Sequence, residues 1–327
     1  MSKKNILVVG GAGYIGSHMV LYLLENGYEP IIYDNLSEGH KEAILGGIFI
    51  KGDLEDTYLL RNTFESYNIS AVMHFAAFCY VGESVKDPYK YYKNNVFNTV
   101  NLLNVMKEHH INKFIFSSTC ATYGIPEKLP LTENHNQNPI NPYGNTKLMV
   151  EKILNDYDKA YGLKSMILRY FNASGADPEG RIGEAHEPET HLIPNVINTV
   201  LGKKNDLKIY GSDYDTKDGT CIRDYIHILD LAQAHFLALE KLLSGSESNV
   251  YNLGNGLGYS NKEIIETVEK ISGKKVNFEF APKREGDPPI LVGSSEKIIK
   301  ELDWKPKYNS LEKIIETAYN WHKKQKY

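Results

Sequence analysis

Residues 6–16 read Ile6-Leu7-Val8-Val9-Gly10-Gly11-Ala12-Gly13-Tyr14-Ile15-Gly16. Four apolar residues that stop at a glycine cluster and continue as an amphipathic stretch are a buried strand turning tightly into a helix. Such a unit cannot bury its own strand and needs parallel neighbours. The first half of the chain supplies them. Short apolar runs at 6–9, 31–33, 48–51, 71–75, 113–117 and 165–169 predict buried strands, and stretches at 16–26, 56–67, 92–109 and 143–161 predict helices. Strand-helix alternation implies a parallel sheet with helices on both faces, and right-handed crossovers make it doubly wound. Lys3 and Lys4 before the first apolar run imitate a signal peptide, but the run breaks after four residues, too soon for one.

After about Asn172 the texture changes. Residues 172–194, rich in Gly, Pro, Glu and His, read as a long loop, and the remainder mixes short strands and helices. The fold expected is therefore α/β: a doubly wound, Rossmann-like parallel sheet spanning 1–172 and a smaller mixed α/β substrate lobe spanning 173–327. Residues 222–240 look helical, so a segment near 222–255 is expected to return to the first domain. The formal charge of −4 argues against a nucleic-acid or bulk membrane binder. Any anionic ligand must be met by local arginines or helix N-termini. Cys79, Cys120 and Cys221 are far apart without metal-ligand spacing, which fits a reducing cytoplasm. No apolar run reaches the roughly 18 residues of a membrane span.

The glycines at 10, 13 and 16 suit a dinucleotide. They permit the turn, let backbone N–H groups approach a pyrophosphate, and allow the helix to pack close to the sheet. Asp34 ends the second strand, 18 residues beyond Gly16. A carboxylate there binds both ribose hydroxyls and repels a 2′-phosphate, favouring NAD over NADP. Asp53-Leu54 ends the third strand, where an adenine edge would lie, and Phe75-Ala76-Ala77 ends the fourth with small residues.

Tyr143 and Lys147 stand four apart and share one helix face. A free phenol has a pKa near ~10, and lowering it by about 3 units needs roughly 4 kcal/mol of anion stabilisation. One cation at about 5 Å in an effective dielectric of about 20 gives roughly 3 kcal/mol. Lys147 together with an oxidised nicotinamide supplies what is needed, making Tyr143 an acid/base at neutral pH. Thr119, at the end of the run Ser117-Ser118-Thr119, can hydrogen-bond the same substrate oxygen.

These pieces resemble the extended short-chain dehydrogenase/reductase family, and within it the nucleotide-sugar epimerases. The likeness runs over nearly the whole chain, through Gly10–Gly16, Tyr33-Asp34-Asn35, His74-Phe75-Ala76-Ala77, Val81-Gly82-Glu83-Ser84, Asn94-Asn95-Val96, Asn141-Pro142-Tyr143-Gly144, Leu168-Arg169-Tyr170-Phe171-Asn172, Arg223-Asp224-Tyr225-Ile226-His227 and Arg284-Glu285-Gly286-Asp287. The resemblance implies reversible 4-epimerisation of UDP-glucose and UDP-galactose through a transient 4-keto sugar, with a tightly bound NAD that is not consumed. It implies Tyr143, Lys147 and Thr119 as catalytic residues. It adds Tyr14, Ile15, Asn35, Asn95, Ser117 and Tyr170 to the cofactor contacts. It places Asn172, Leu192 and Leu291 near the UDP-sugar, Arg223 and Arg284 on its diphosphate, and Asp287 near the uridine ribose. It also implies a homodimer through helices near 96–109 and 146–161.

Departures from the family pattern matter too. Cys79 replaces a lysine that reaches the pyrophosphate in several members, and Thr119 stands for a serine. Leu291 falls where some members carry tyrosine, leaving room for N-acetylated sugars. A 4,6-dehydratase needs an added acid and base, which relatives supply as Asp-Glu after the strand-end threonine. Cys120 and Ala121 stand there and cannot serve. A uronate decarboxylase's glutamate would also fall at Ala121. A uronate 4-epimerase, with the same redox core, stays open, as does a dinucleotide-binding sensor, which would not need Tyr143, Lys147 and Thr119. His186 and His191 lie among Glu184, Glu187 and Glu189. Their spacing matches no common ligand geometry well, so a solvated acidic loop without metal is expected.

Overall fold

The computed structural model describes residues 3–284 and 287–327. Glu285 and Gly286 of the Arg284–Asp287 motif lie outside the described residues. By compactness the chain divides into two units: Met1–Gly124, Asn136–Arg169 and Ala232–Tyr251 form the first, and Ile125–His135, Tyr170–Leu231 and Asn252–Tyr327 the second.

The first unit is built on strands β1 (Asn5–Val9), β2 (Glu29–Asp34), β3 (Ile48–Lys51), β4 (Ile69–His74), β5 (Lys113–Thr119) and β6 (Lys164–Tyr170). Its helices are α1 (Tyr14–Glu25), α2 (Thr57–Ser66), α3 (Val81–Lys86), α4 (Pro88–Tyr92), α5 (Asn98–Glu108) and α6 (Pro142–Tyr161). Then come β7 (Asn172–Ser174), α7 (Leu192–Val200), β8 (Lys208–Tyr210), β9 (Ile222–His227), α8 (Ile228–Leu243) and β10 (Asn249–Leu253). The chain closes with β11 (Gly258–Ser260), α9 (Asn261–Ser272), β12 (Glu279–Ala281), β13 (Ile290–Leu291), α10 (Glu296–Leu302) and α11 (Leu311–Lys323).

Seven strands form one sheet in the order β10-β6-β5-β4-β1-β2-β3. The pairs β1–β2, β1–β4, β2–β3 and β4–β5 are parallel, with Val8 opposite Ile32 and Met73. Strand order reverses at β1, so the crevice beyond the carboxyl ends of β1 and β4 is the natural place for a ligand. Leu7, Val9, Ile31, Val72, Phe114 and Phe116 fill one core with Leu102, Leu103 and Met106 of α5 and Val150 and Leu154 of α6.

In the second unit β9 is central, paired with β7, β11 and β13. Its helices α7, α9 and α11 pool Ile193, Val196, Ile197, Ile264, Ile265, Val268, Ile314 and Ile315 into a separate core.

Two sequence expectations are corrected and one is refined. The helix expected over 92–109 is present but widened: α4 passes at Tyr92 into a π-turn over Lys93–Phe97, which runs directly into α5. The widened turn carries Asn95, whose amide is committed to other segments, a tertiary demand that local periodicity does not show. Residues 222–227 are strand rather than helix, because partners remote in sequence complete their ladder. Residues 172–194 are not all loop, since β7 opens the segment and α7 begins at Leu192.

Candidate active site

The glycine turn is shaped by close approach. Gly10 has a φ of 79°, and a Cβ there would meet Ala76 N at 2.4 Å. A Cβ at Gly16 would meet Gly10 O at 2.0 Å. Gly13 differs: a Cβ there would find only Gly10 O, at 3.5 Å. Nothing within the chain demands glycine at 13, so the missing side chain keeps room for a group from outside. Gly13 also caps α1 with no side-chain hydrogen bond, so the positive end of the helix dipole at the turn suits an anion. Asp34 is pinned at the end of β2: Oδ2 accepts from Ala12 N–H at 2.9 Å and Oδ1 from Leu36 N–H at 2.8 Å. Each oxygen keeps a lone pair for a ribose hydroxyl. The turn fits a dinucleotide.

Several candidate contacts prove to be supports. Asn35 Nδ2 donates to Asp53 Oδ2 at 2.7 Å, tying the ends of β2 and β3. Leu54 is buried in the sheet's core. Phe75 and Ala76 both donate backbone N–H to Val9 O, and the Phe75 ring lies 5.1 Å from that of His235. The Asn95 amide accepts from Phe78 N–H at 3.0 Å and donates to Phe78 O at 3.0 Å and Thr146 Oγ1 at 3.2 Å. It holds the segment after β4 against α6, so its amide is not left for a cofactor. The Ser117 hydroxyl is likewise engaged, with His235 Nε2 at 2.9 Å. Ala77 and Tyr170 are half-buried.

Helix α6 carries the candidate acid/base pair. Asn141 caps it, accepting from Gly144 N–H at 2.8 Å, with Pro142 in the first turn. A Cβ at Gly144 would meet Ala121 O at 2.6 Å, so glycine lets the helix start close to the turn after β5. Tyr143, Lys147 and Glu151 follow at four-residue steps on one face, and all three are buried. Lys147 is 4% exposed. Its Nζ donates to Ser117 O at 2.8 Å and sits 4.9 Å over the Phe116 ring. Burial brings the ammonium down to about 8, against the pull of Cys79 and Glu151. Burial, then Lys147, keeps His74 neutral, with a pKa lowered to about 3. Thr119 Oγ1 accepts from Ala121 N–H at 3.2 Å, which leaves its proton to donate.

Sequence reasoning missed Glu151. It accepts from Ser118 Oγ, Arg169 Nε at 3.0 Å and Gln137 Nε2 at 2.9 Å, while Arg169 Nη1 donates to Tyr123 Oη at 2.9 Å. This buried network locks the Tyr143–Lys147 face against β5 and β6. The four-residue step after Lys147 was the available signal.

In the second unit β9 organises the cationic residues. Arg223 Nη1 donates to Ile222 O at 2.8 Å and Nη2 pairs with Asp287. The two residues assigned to different ends of UDP are thus joined directly. Arg284 stacks 4.0 Å over the Tyr210 ring. Tyr214, missed in the sequence, has a buried hydroxyl without a partner and feels the charges of Asp287, Arg223 and Arg284. An orphaned phenol among two arginines suits a polyanionic ligand. Leu291 pairs with Arg223 across β13 and β9, Asn172 Nδ2 donates to Asp224 O at 2.7 Å, and Leu192 opens α7. Asp224, also missed, is fully buried. It accepts from Asn255 N–H at 2.8 Å and from Gly256 and Gly293 N–H at 3.2 Å, yet burial still raises its carboxyl to about 7. The expected solvated loop is corrected as well: Glu184, His186, Glu189 and His191 converge, and Glu184 is buried. Glu187 is exposed.

Residues 6–254 match the model of the NAD dependent epimerase/dehydratase family. The chain belongs to that family. Among members of the NAD dependent epimerase/dehydratase family, the UDP-glucose 4-epimerase of Rhizobium meliloti (strain 1021) is 52% identical over 325 residues, covering 99% of each chain. The crystal structure of UDP-glucose 4-epimerase from Brucella ovis in complex with NAD superposes with a TM-score of 0.96, at 50% identity and 98% coverage of both. That from Bifidobacterium longum in complex with NAD+ and UDP gives a TM-score of 0.93 at 37% identity, covering 98% of this chain and 99% of that one.

Proposed function

We propose that this protein is an NAD-dependent isomerase that interconverts UDP-glucose and UDP-galactose by inverting C4 of the sugar. Lys147 carries the reading: a buried lysine sharing a helix face with Tyr143, its Nζ held 2.8 Å from Ser117 O. The glycine turn, with Tyr14, Ile15 and Asp34, holds the dinucleotide. When bound, NAD supplies a reversible hydride store for C4. Below about pH 8 Lys147 is cationic and stabilises the Tyr143 phenolate in a low-dielectric setting. Tyr143 accepts the 4-hydroxyl proton as the sugar becomes a transient 4-keto species. It returns that proton once the sugar has presented its other face. Thr119 donates to the same oxygen and orients it. Arg223, Arg284 and Tyr214 grip the diphosphate, and Asp287 fixes Arg223. Strong grip on UDP and weak grip on the hexose let remote binding energy support chemistry without immobilising the sugar.

Incubating purified protein with UDP-galactose, with no added NAD, tests this. UDP-glucose is expected to appear. Tyr143→Phe is expected to lower turnover by about 10²–10⁴-fold, with the circular dichroism spectrum unchanged; full activity in that variant would remove the phenol from the mechanism. UDP-glucuronate run in parallel separates a uronate 4-epimerase. Binding of NAD without turnover of either sugar would point to a sensor.

Leu291 supports a wider substrate range. It adjoins Arg223 and brings no phenol into that neighbourhood. UDP-N-acetylglucosamine and its galacto epimer are expected to be turned over too, and Leu291→Tyr to reduce that activity selectively. A parent protein inert toward N-acetylated sugars would refute the wider range. The enzyme is proposed to work in the cytoplasm, in keeping with its few, scattered cysteines, and as a homodimer. Among the described residues no helix is long and apolar enough to cross a membrane.

A further inference from the structure

We infer that Glu184, His186, Glu189 and His191 form a site for one divalent transition-metal ion of the zinc class, which clamps the segment leading into α7. The four donor atoms all lie within 4.8 Å of one another. His191 Nδ1 is 2.8 Å from Glu184 Oε1 and 3.0 Å from Glu189 Oε1, and His186 Nδ1 is 3.1 Å from Glu184 Oε1 and 3.8 Å from Glu189 Oε2. Tetrahedral zinc with bonds of about 2.1 Å separates its ligand atoms by about 3.4 Å. The set therefore needs only small shifts to close around an ion.

Charge argues the same way. A dication held by two carboxylates and two neutral imidazoles makes a site of zero net charge, which suits a largely buried place. Ion pairing alone would instead set two imidazolium rings side by side, their centroids 5.3 Å apart, both aimed at one oxygen of Glu184. A further feature marks the place. His322 is buried, its Nδ1 has no partner, and it feels the charges of both Glu184 and Glu189.

The donor types select the ion. Two nitrogens and two oxygens suit zinc, whereas calcium requires six or more oxygens and magnesium an octahedron of them. Four protein ligands close the coordination sphere, so the role is structural. The surroundings hold the ligands in place: Trp321 Nε1 donates to Glu184 O at 2.8 Å, and Asn195 Nδ2 donates to His191 O at 2.8 Å. Leu192, the first residue of α7, follows His191 directly. The ion would thus fix a segment adjoining a proposed substrate contact without entering the chemistry.

The test uses full-length protein stripped with a chelator, then titrated with Zn²⁺ by calorimetry and with Co²⁺ by visible absorption. One equivalent per chain, four-coordinate Co²⁺ bands and a higher Tm with Zn²⁺ are expected. His186→Gln and Glu189→Gln should each weaken Zn²⁺ binding by about a hundred-fold or more. Failure of the stripped, folded parent to take up a stoichiometric ion overturns the site, as does uptake that neither substitution affects. Should a variant fail to fold, the parent's stoichiometry and Co²⁺ spectrum still decide. Turnover of UDP-galactose is scored separately, so loss of the metal site leaves the epimerase assignment standing.

Discussion

In the proposed mechanism Lys147 serves chemistry against stability. Its ammonium is taken out of water, which lowers its pKa from the ordinary lysine value to about 8. Between about pH 8 and 10.5 the unfolded chain holds a proton that the folded chain lacks, so folding stability rises with pH across that window. Below pH 8 the burial cost is present in full, on the order of 3 kcal/mol. Lys147→Met removes the charge and also the bond to Ser117 O. Urea unfolding is expected to show the variant faring best against the parent near pH 7. Its relative position should worsen by about 3 kcal/mol toward pH 10.5. Turnover should be lost at every pH. A stability difference that does not change with pH would show that the lysine is not buried as a cation. The parent's kcat should also decline on the alkaline side of about pH 8, as the phenolate loses its neighbouring charge.

At the level of elements, α6 is the proposed working part, and a buried ion pair ties it to the sheet. Glu151 on α6 and Arg169 on β6 are both buried, and Ser118, Gln137 and Tyr123 complete their hydrogen bonds. Breaking such a pair leaves one charge uncompensated and costs about 3–5 kcal/mol. Glu151→Ala is expected to lose that much in urea unfolding and to lower kcat, because the Tyr143–Lys147 face is no longer held against β5. The double variant Glu151→Leu, Arg169→Met should recover most of the stability, since a filled apolar site replaces two buried charges. If the single variant matched the parent in stability, the network would not position the helix.

For the molecule as a whole, the proposed homodimer depends on apolar surface carried by the α5 and α6 region. Phe97 is 69% exposed, Met149 45% and Tyr161 55%. Phe97→Glu is expected to give a monomer in sedimentation velocity at concentrations where the parent sediments as a dimer. A parent that stays monomeric at high concentration would dismiss the assembly. Within the chain, two cores divide the labour. One supports the parallel sheet and its glycine turn, and the other the β9-centred sheet and its arginines. Fold alone would not name the reaction, since this architecture hosts many. The roles proposed for Tyr143, Lys147 and Thr119 narrow it to proton and hydride chemistry at one carbon.

The strands beside the glycine turn, the turn itself and the Tyr143–Lys147 spacing were legible in the chain's order of residues. Each depends on neighbours a few positions apart, governed by backbone sterics and by helical or strand periodicity. Contacts between distant segments carried no such signature. Ser117 meets His235 across 118 residues, Arg169 meets Glu151 across 18, and Asp224 gathers N–H groups from 255, 256 and 293. Register and packing decided those. They also decided that Asn95 supports a loop, that residues 222–227 pair as strand, and that two histidines and two glutamates face one point. A side chain's chemistry is written in its type, but what it meets depends on which surfaces the folded core brings together.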